Sequence, residues 1–496
     1  MPDDTDRGPS PVTEWLPREL ASELLALARE SGAEFSEVYA ESTVNTAFEL
    51  EESRLKSSSY SVRQGVGVRA IRGGQTGYAY ADGFALDELR EAARVAGRIA
   101  RDGAAPGRPG PESGWDAGAA PPSGATAFRL VEAPPPFVLE HPAPLVLDEA
   151  RKIALLERAN AAARARDPRI HEVAATLADQ ARSFVVANSD GRWAEDDQYL
   201  TRLAVTALAL AGDDRQSGFA AGGGSVEAGY FDTERTPEAI GAEAAAIAAT
   251  LLGAREPEAG AYPVVVGPGW GGVLVHECFG HSMEGDTIRK RTSIRATQRG
   301  EAVAARGVTI VDSGVVPYSR GSFRVDDEGT PAQRTVLVED GVLVGYLWDL
   351  LNARLAGERP TGNGRRASYR DYPIPRMTNT YIEAGNHSAE ELIGSVRRGL
   401  YCKSLGGGSV NTADGNFSFQ VTEAYRIENG RIAEPVKNAT LTGNGVDAML
   451  KIEGVADDLR IDGTTGSCGK DGQWKPVGVG QPTVLFNRMT VGGTAT

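Results

Sequence analysis

VLVHECFGHSMEGD, residues 273–286, holds two of the chain's five histidines, His276 and His281, within six positions, and Glu277 follows the first directly. Neutral imidazole nitrogens beside a carboxylate are what a hydrolytic zinc site uses, the rings as ligands and the acid as a base for water. The spacing makes a structural demand. On an ideal α-helix, residues four apart are offset by roughly 40° and share a face, whereas residues five apart are offset by roughly 140°. Both rings reach one ion only if the helix is distorted, by a π-bulge or by a break at Gly280. The hexamer alone leaves open a second reading, two neighbouring histidines on a buried helix with no common partner.

A catalytic zinc takes three protein ligands and keeps one position for water. His171, followed by Glu172 on a strand-like alternation, reads as an exposed strand-edge pair. His141 falls in a Pro-rich loop, and His387 stands at a helix N-terminus in EAGNHSAEE. The remaining candidates are the three cysteines. Cys278 lies between the two histidines and reads as a buried small hydrophobe. Cys402, in GLYCKSLGGG, and Cys468, in GTTGSCGKDGQ, are both open. Chemistry favours Cys468, because flanking glycines let its backbone approach a metal and Lys470 would favour a thiolate.

Outward from the motif, residues 256–496 alternate short β segments with Gly-rich turns and read as one β-rich, barrel-like domain carrying the motif helix. VEDGV and IENGR are hairpin turns. Residues 18–254 read as an α+β domain made of two helix–antiparallel-sheet–helix units, 18–102 and 147–254, alike in element order. Residues 1–17 read as a flexible tail, and the Pro/Gly/Ala-rich stretch 103–145 as a linker or surface loop. The fold class expected is α+β.

The 496 residues carry a net charge of −15 and 60 glycines. An acidic balance argues against a general nucleic-acid surface. Three scattered cysteines do not make a disulfide framework, which fits a reducing compartment. The N-terminus lacks a basic n-region and an apolar h-region, and no run approaches the roughly 18 apolar residues of a membrane span. A cytoplasmic protein without membrane attachment is expected.

Several long motifs in one order resemble the TldD/PmbA family of metallopeptidases, and its TldD branch in particular. They are HECFGHSMEGD (276–286), VDDEGTPAQ (325–333), LNARLAGERPTGNGRR (351–366), PRMTNTYIEAG (375–385), GGGSVNTADGNFSF (406–419) and SCGKDGQWKPVGVGQPTV (467–484). The resemblance implies one zinc ion per chain, bound by His276, His281 and Cys468, with Glu277 as general base. It implies hydrolysis of unfolded or small peptides, in peptide maturation or degradation, and pairing with a TldE/PmbA-like subunit or with a second copy. A different class, a non-catalytic regulatory protein of the gyrase-modulator type, is the alternative, and a scaffold with a structural metal is a third. Gly406, Gly407, Gly408, Ser409 and Val410 suit a strand edge that a peptide could extend. An ordinary hairpin explains the same residues. The basic run RKRTSIRATQR (289–299) reads as a solvated surface, with steering of acidic peptides or contact with a partner subunit as its other readings. Asp326-Asp327-Glu328 reads as a tight turn in preference to a second metal site.

Overall fold

The computed structural model describes residues 11–103, 128–132, 149–226, 229–411 and 414–493. The first unit is a helix Arg18–Arg29, strands β1 (Phe35–Glu51), β2 (Arg54–Arg72) and β3 (Gln75–Asp82), and a helix Leu86–Gly103. The second repeats that order, with Glu149–Arg166, strands of Ile170–Asn188, Arg192–Ala211 and Asp214–Gly224, and Pro237–Leu251. The two units do not have a sheet each. β1 pairs antiparallel with Ile170–Asn188 from Glu37↔Asn188 to Glu51↔Ala174, which fuses them into one seven-stranded sheet.

The duplication is written in close backbone approaches that only glycine permits. A Cβ on Gly77 of β3 would lie 2.0 Å from the Ala96 carbonyl oxygen, and one on Gly218 would lie 2.1 Å from that of Ala244. Between the paired helices, Gly97 meets the Ala28 carbonyl and Gly241 that of Ala159 in the same way. Each unit therefore presses its second helix onto its last strand and its first helix at equivalent glycines.

Two corrections to the sequence reading concern the edges of this domain. Pro11–Trp15 is helical, Val12 and Leu16 are buried, and Trp15 stacks near Phe84 at 4.6 Å, so residues 11–16 of the expected tail pack on this domain. Within the expected linker, Arg129–Leu130 adds a short parallel strand beside Arg192 and Trp193. His141 and Trp115 lie outside the described residues.

The alternation of β1 explains how the domains join. Val38 and Ala40 face the helices, while Glu37, Tyr39, Glu41 and Thr43 occupy the other face and are also buried, because the C-terminal domain covers it. That interface is ionic. Arg69 bridges Glu37 (2.8 Å) and Glu328 (2.6 Å), Arg182 bridges Glu41 (3.1 Å) and Asp327 (2.9 Å), and Arg366 reaches Glu37 at 2.5 Å. The acidic run 326–328 is indeed a turn, closed by Asp326 accepting from the Glu328 and Thr330 amides. It is a buried turn, and its carboxylates hold the two domains together.

The C-terminal domain is built on a closed five-stranded barrel of Gly260–Val266, Arg398–Val410, Asn416–Glu428, Thr440–Asn444 and Val484–Gly492. A six-stranded sheet, with Ile310–Ser313 and Asn379–Ile382 at its centre, packs beside it. The expected hairpin turns occur, with Asp340-Gly341 and Asn429-Gly430 all left-handed.

Candidate metal centre

The motif helix can begin only at glycine, since a Cβ on Gly272 would lie 2.4 Å from the Gly480 carbonyl oxygen. One α-helical stretch, Val273–Cys278, ends at Phe279 (φ −116, ψ −53), and a 3-10 turn follows over Gly280–Met283. The distortion demanded by the five-residue spacing is thus a break at Phe279-Gly280. Gly280 has a packing reason as well, because a Cβ there would fall 1.8 Å from Met377 Sδ. Across the break the two imidazoles approach edge-on, with ring centroids 5.4 Å apart at 81°.

Cys468 arrives on the strand Ser467–Lys470, paired with Gln473–Pro476 in a two-stranded hairpin. Its Sγ is 3.1 Å from His281 Nε2, and donor atoms of His276, His281 and Cys468 all lie within 4.8 Å of one another. His276 is 3 % exposed, and its Nδ1 has no hydrogen-bond partner among the described residues. Two nitrogens and a sulfur around one point, with a buried nitrogen left unsatisfied, fit a soft divalent ion such as zinc. Cys278 packs instead against Gly445, and Cys402 is in the barrel core.

Burial pushes both of those thiols up. Burial also opposes ionisation of Cys468, but His276, with hydrogen bonds from both imidazoles, holds that thiol down at about 4. Lys470 does not act on the thiol as the sequence suggested. Its ammonium reaches Asp286 Oδ1 (2.7 Å) and Glu284 Oε2 (3.1 Å). Glu277 is half-buried, and burial raises its carboxyl above the ordinary value.

Two residues of the site went unnoticed in the sequence. Glu284 Oε2 lies 3.2 Å from His281 Nδ1, which leaves Nε2 to face Cys468. Despite burial, Lys470, His281 and Arg376 hold its carboxyl at about 2. The only signal was a carboxylate three positions after a histidine. Arg376, fully buried, donates to the carbonyls of Cys468 (2.6 Å) and Gln473 (2.8 Å) and places Nε 3.7 Å from Glu284 Oε1. It thereby sets the cysteine hairpin against the motif.

The other expectations divide. Gly408, Ser409 and Val410 pair with Phe419, Ser418 and Phe417, while the parallel neighbour Gly260–Val266 engages only Leu400–Cys402. The second edge of 404–410 is therefore unpaired among the described strands, and the strand packs against the motif helix. The basic run is not uniformly solvated. Arg295 is buried with its guanidinium 4.5 Å over the Phe279 ring, whereas Arg289 and Arg299 reach Asn352 and Glu358. His171 and Glu172 form an exposed pair at 3.6 Å, and His387 is exposed before the helix Ala389–Ser395. No helix among the described residues is long and apolar enough to cross a membrane.

Family models for the PmbA/TldA metallopeptidases match in order, domain 1 over residues 36–100, the central domain over 142–252 and the C-terminal domain over 259–493. A Haemophilus influenzae protein named metalloprotease TldD homolog is 40 % identical over 465 residues, covering 93 % of each chain. A Thermotoga maritima structure, described as a candidate modulator of a DNA gyrase, superposes with a TM-score of 0.75 at 24 % identity over 96 % of this chain and 99 % of its own. TldE from Thermococcus kodakarensis gives 0.73 at 20 % identity over 96 % and 100 %. These two structures share the fold, and with the Haemophilus relative and the three domain matches they leave one conclusion: the chain belongs to the PmbA/TldD family of metallopeptidases, on its TldD branch.

Proposed function

We propose that this protein is a zinc metallopeptidase that cleaves small or unfolded peptides in the cytoplasm, with one zinc per chain held by His276, His281 and Cys468. The observation carrying the reading is the convergence of a broken helix and a hairpin 187 residues away on three donor atoms. Three protein donors among the described residues suit an open catalytic position, since structural zinc sites close with four. A bound zinc ion would supply activation of a water, lowering its pKa from 15.7 to about 7, and polarisation of the scissile carbonyl. Glu277, one residue past the first ligand, takes the proton and delivers it to the leaving amine. Burial raises its carboxyl above the ordinary value, which makes it a stronger base than an exposed glutamate. Glu284 keeps the His281 proton on Nδ1. The open edge of 406–410 would hold the peptide by backbone pairing, and a TldE-like subunit or a second copy completes the assembly. A regulatory binding protein would have no use for Glu277.

Metal analysis of the purified chain should find one zinc. Casein or peptide digestion, by the chain alone and with a TldE-like partner, should show cleavage in at least one of the two. Glu277→Gln should keep the zinc and lose about 10²–10⁴-fold in rate. Wild-type-like cleavage by that variant would remove Glu277 as the base. A zinc-loaded wild type that cleaves nothing even with the partner would sink the peptidase reading.

A further inference from the structure

The sheet face turned away from its helices closes with the C-terminal domain over a cavity of about 540 Å³. Ser467, Trp474 and Lys475, on the hairpin that carries Cys468, form part of its wall. Six cations line it: Arg63, Arg182, Arg202, Arg320, Arg365 and Lys475. Only two carboxylates do, and both are already engaged. Glu41 is held by Arg182 at 3.1 Å and by the Tyr39 and Thr43 hydroxyls, and Asp179 by Lys152 at 2.9 Å and the Thr201 hydroxyl at 2.5 Å. Asp327, outside the lining, takes Arg182 and Lys475.

Arg63, Arg202, Arg320 and Arg365 are left with no carboxylate in ion-pair range among the described residues. Arg365 spends its guanidinium on the Met377 and Pro476 carbonyls. Arg320 gives one N–H to the Thr464 carbonyl at 2.8 Å, and its buried Nε has no partner. Burial and the neighbouring Arg202 charge push Arg320 down to about 10 against the pull of the Asp462 carboxylate, which is itself occupied by the Thr464 and Thr465 amides. Two guanidiniums that repel each other beside a roomy polar cavity cost free energy unless an anion joins them. The guanidinium fork matches a carboxylate in particular.

We propose that this cavity is an anion subsite for the peptide substrate, in which Arg202 and Arg320 take a carboxylate of the bound chain, either an acidic side chain or the free α-carboxylate. The proposal rests on the peptidase reading for its ligand. Arg63 is an exposed part of the lining, and Trp474, 66 % exposed, offers an aromatic wall for the flanking residue.

The test uses zinc-loaded full-length Glu277→Gln protein and fluorescently labelled peptides of one neutral sequence, made as the amide, as the free acid, and as the amide with one glutamate. Fluorescence anisotropy should show at least one carboxylate-bearing peptide bound about tenfold more tightly than the neutral amide. A preference for the free acid identifies the α-carboxylate, and a preference for the glutamate peptide identifies the side chain. Arg320→Gln should bring the ratio close to one. Arg202→Gln, at a half-buried strand position, should do the same with less risk to folding, which circular dichroism and zinc content check. Equal affinities for all three peptides, or a preference that survives both substitutions, overturns the subsite. Wild-type cleavage without acid preference would leave the peptidase reading standing and the subsite refuted. Acid preference lost in both variants, in a protein that cleaves nothing, would do the reverse.

Discussion

Replacing Glu284 with glutamine removes one charge and almost no volume from the point where the motif, the Arg376 segment and the cysteine hairpin meet. The carboxyl is held at about 2, against an ordinary 4.5, by Lys470, His281 and Arg376 acting against burial. At roughly 1.4 kcal/mol per pKa unit, that lowering corresponds to about 3 kcal/mol at neutral pH. The glutamine also leaves Lys470 with Asp286 as its one paired carboxylate and Arg376 without any, and breaking buried pairs from one side costs about 3–5 kcal/mol. Both routes give the same size of effect. The sign follows from the depressed value: the stabilisation is complete above 4.5 and is lost as the pH falls through about 2. Metal-free Glu284→Gln should therefore lose about 3 kcal/mol in urea unfolding at neutral pH, with the gap to wild type closing as the solution is acidified across that window. With a neutral amide in place of the carboxylate on its Nδ1, His281 should also bind less well, and zinc affinity by chelator competition should fall about 10–100-fold. Unchanged stability together with unchanged zinc affinity would refute the claim that Glu284 orients His281.

Cys468→Ser should abolish zinc binding, while Cys402→Ser should keep it and cost only the price of a hydroxyl in the barrel core, about 1–3 kcal/mol; metal analysis of the two variants decides which cysteine is the ligand. Asp327→Asn strips the carboxylate shared by Arg182 and Lys475 and should destabilise the joined domains by about 3–5 kcal/mol in chemical denaturation. No loss would show that the interface does not depend on this pair. Gly407→Val tests the peptide edge cleanly, because a Cβ there meets nothing within 4 Å. It should keep fold and zinc yet slow cleavage, and full activity would remove the edge model.

What the sequence made legible follows the range of the interactions concerned. The histidine spacing is local, so the need for a helix break could be derived from helical geometry, and Phe279-Gly280 supplies it. The Asn-Gly and Asp-Gly turns are local too. The reversal at Glu52-Ser53 is equally tight, but its left-handed φ values of 48° and 60° fall on residues that give no turn signal. Nothing in NTAFELEESRLKSSSYS therefore marks the turn that divides it between β1 and β2. The pairing of β1 with Ile170–Asn188 joins segments more than a hundred residues apart, and no periodicity within either encodes it. Arg295 looked like one charge in a solvated run, because its aromatic support, Phe279, comes from another segment. Glu284 and Arg376 acquire their roles only when three segments close on one another, so residue type and spacing could not reveal them.

The cysteine hairpin is gripped from two sides, and this makes the duplicated N-terminal sheet part of the support of the candidate metal centre. From the motif side, Arg376 holds the carbonyls of Cys468 and Gln473, and Lys470 is tied to Glu284 and Asp286. From the other side Lys475, directly across the hairpin from Cys468, pairs with Asp327, which Arg182 of the N-terminal sheet also holds. Two short strands joined by a tight turn are barely stable alone, so the position of Cys468 depends on both grips. The charged residues at alternate positions of β1 and its neighbours, unusual on a buried sheet face, have a purpose on this account. An apolar face would have joined the domains as firmly, but it would have supplied neither the ion-pair chain that ends at the hairpin nor the cation-rich cavity beside it.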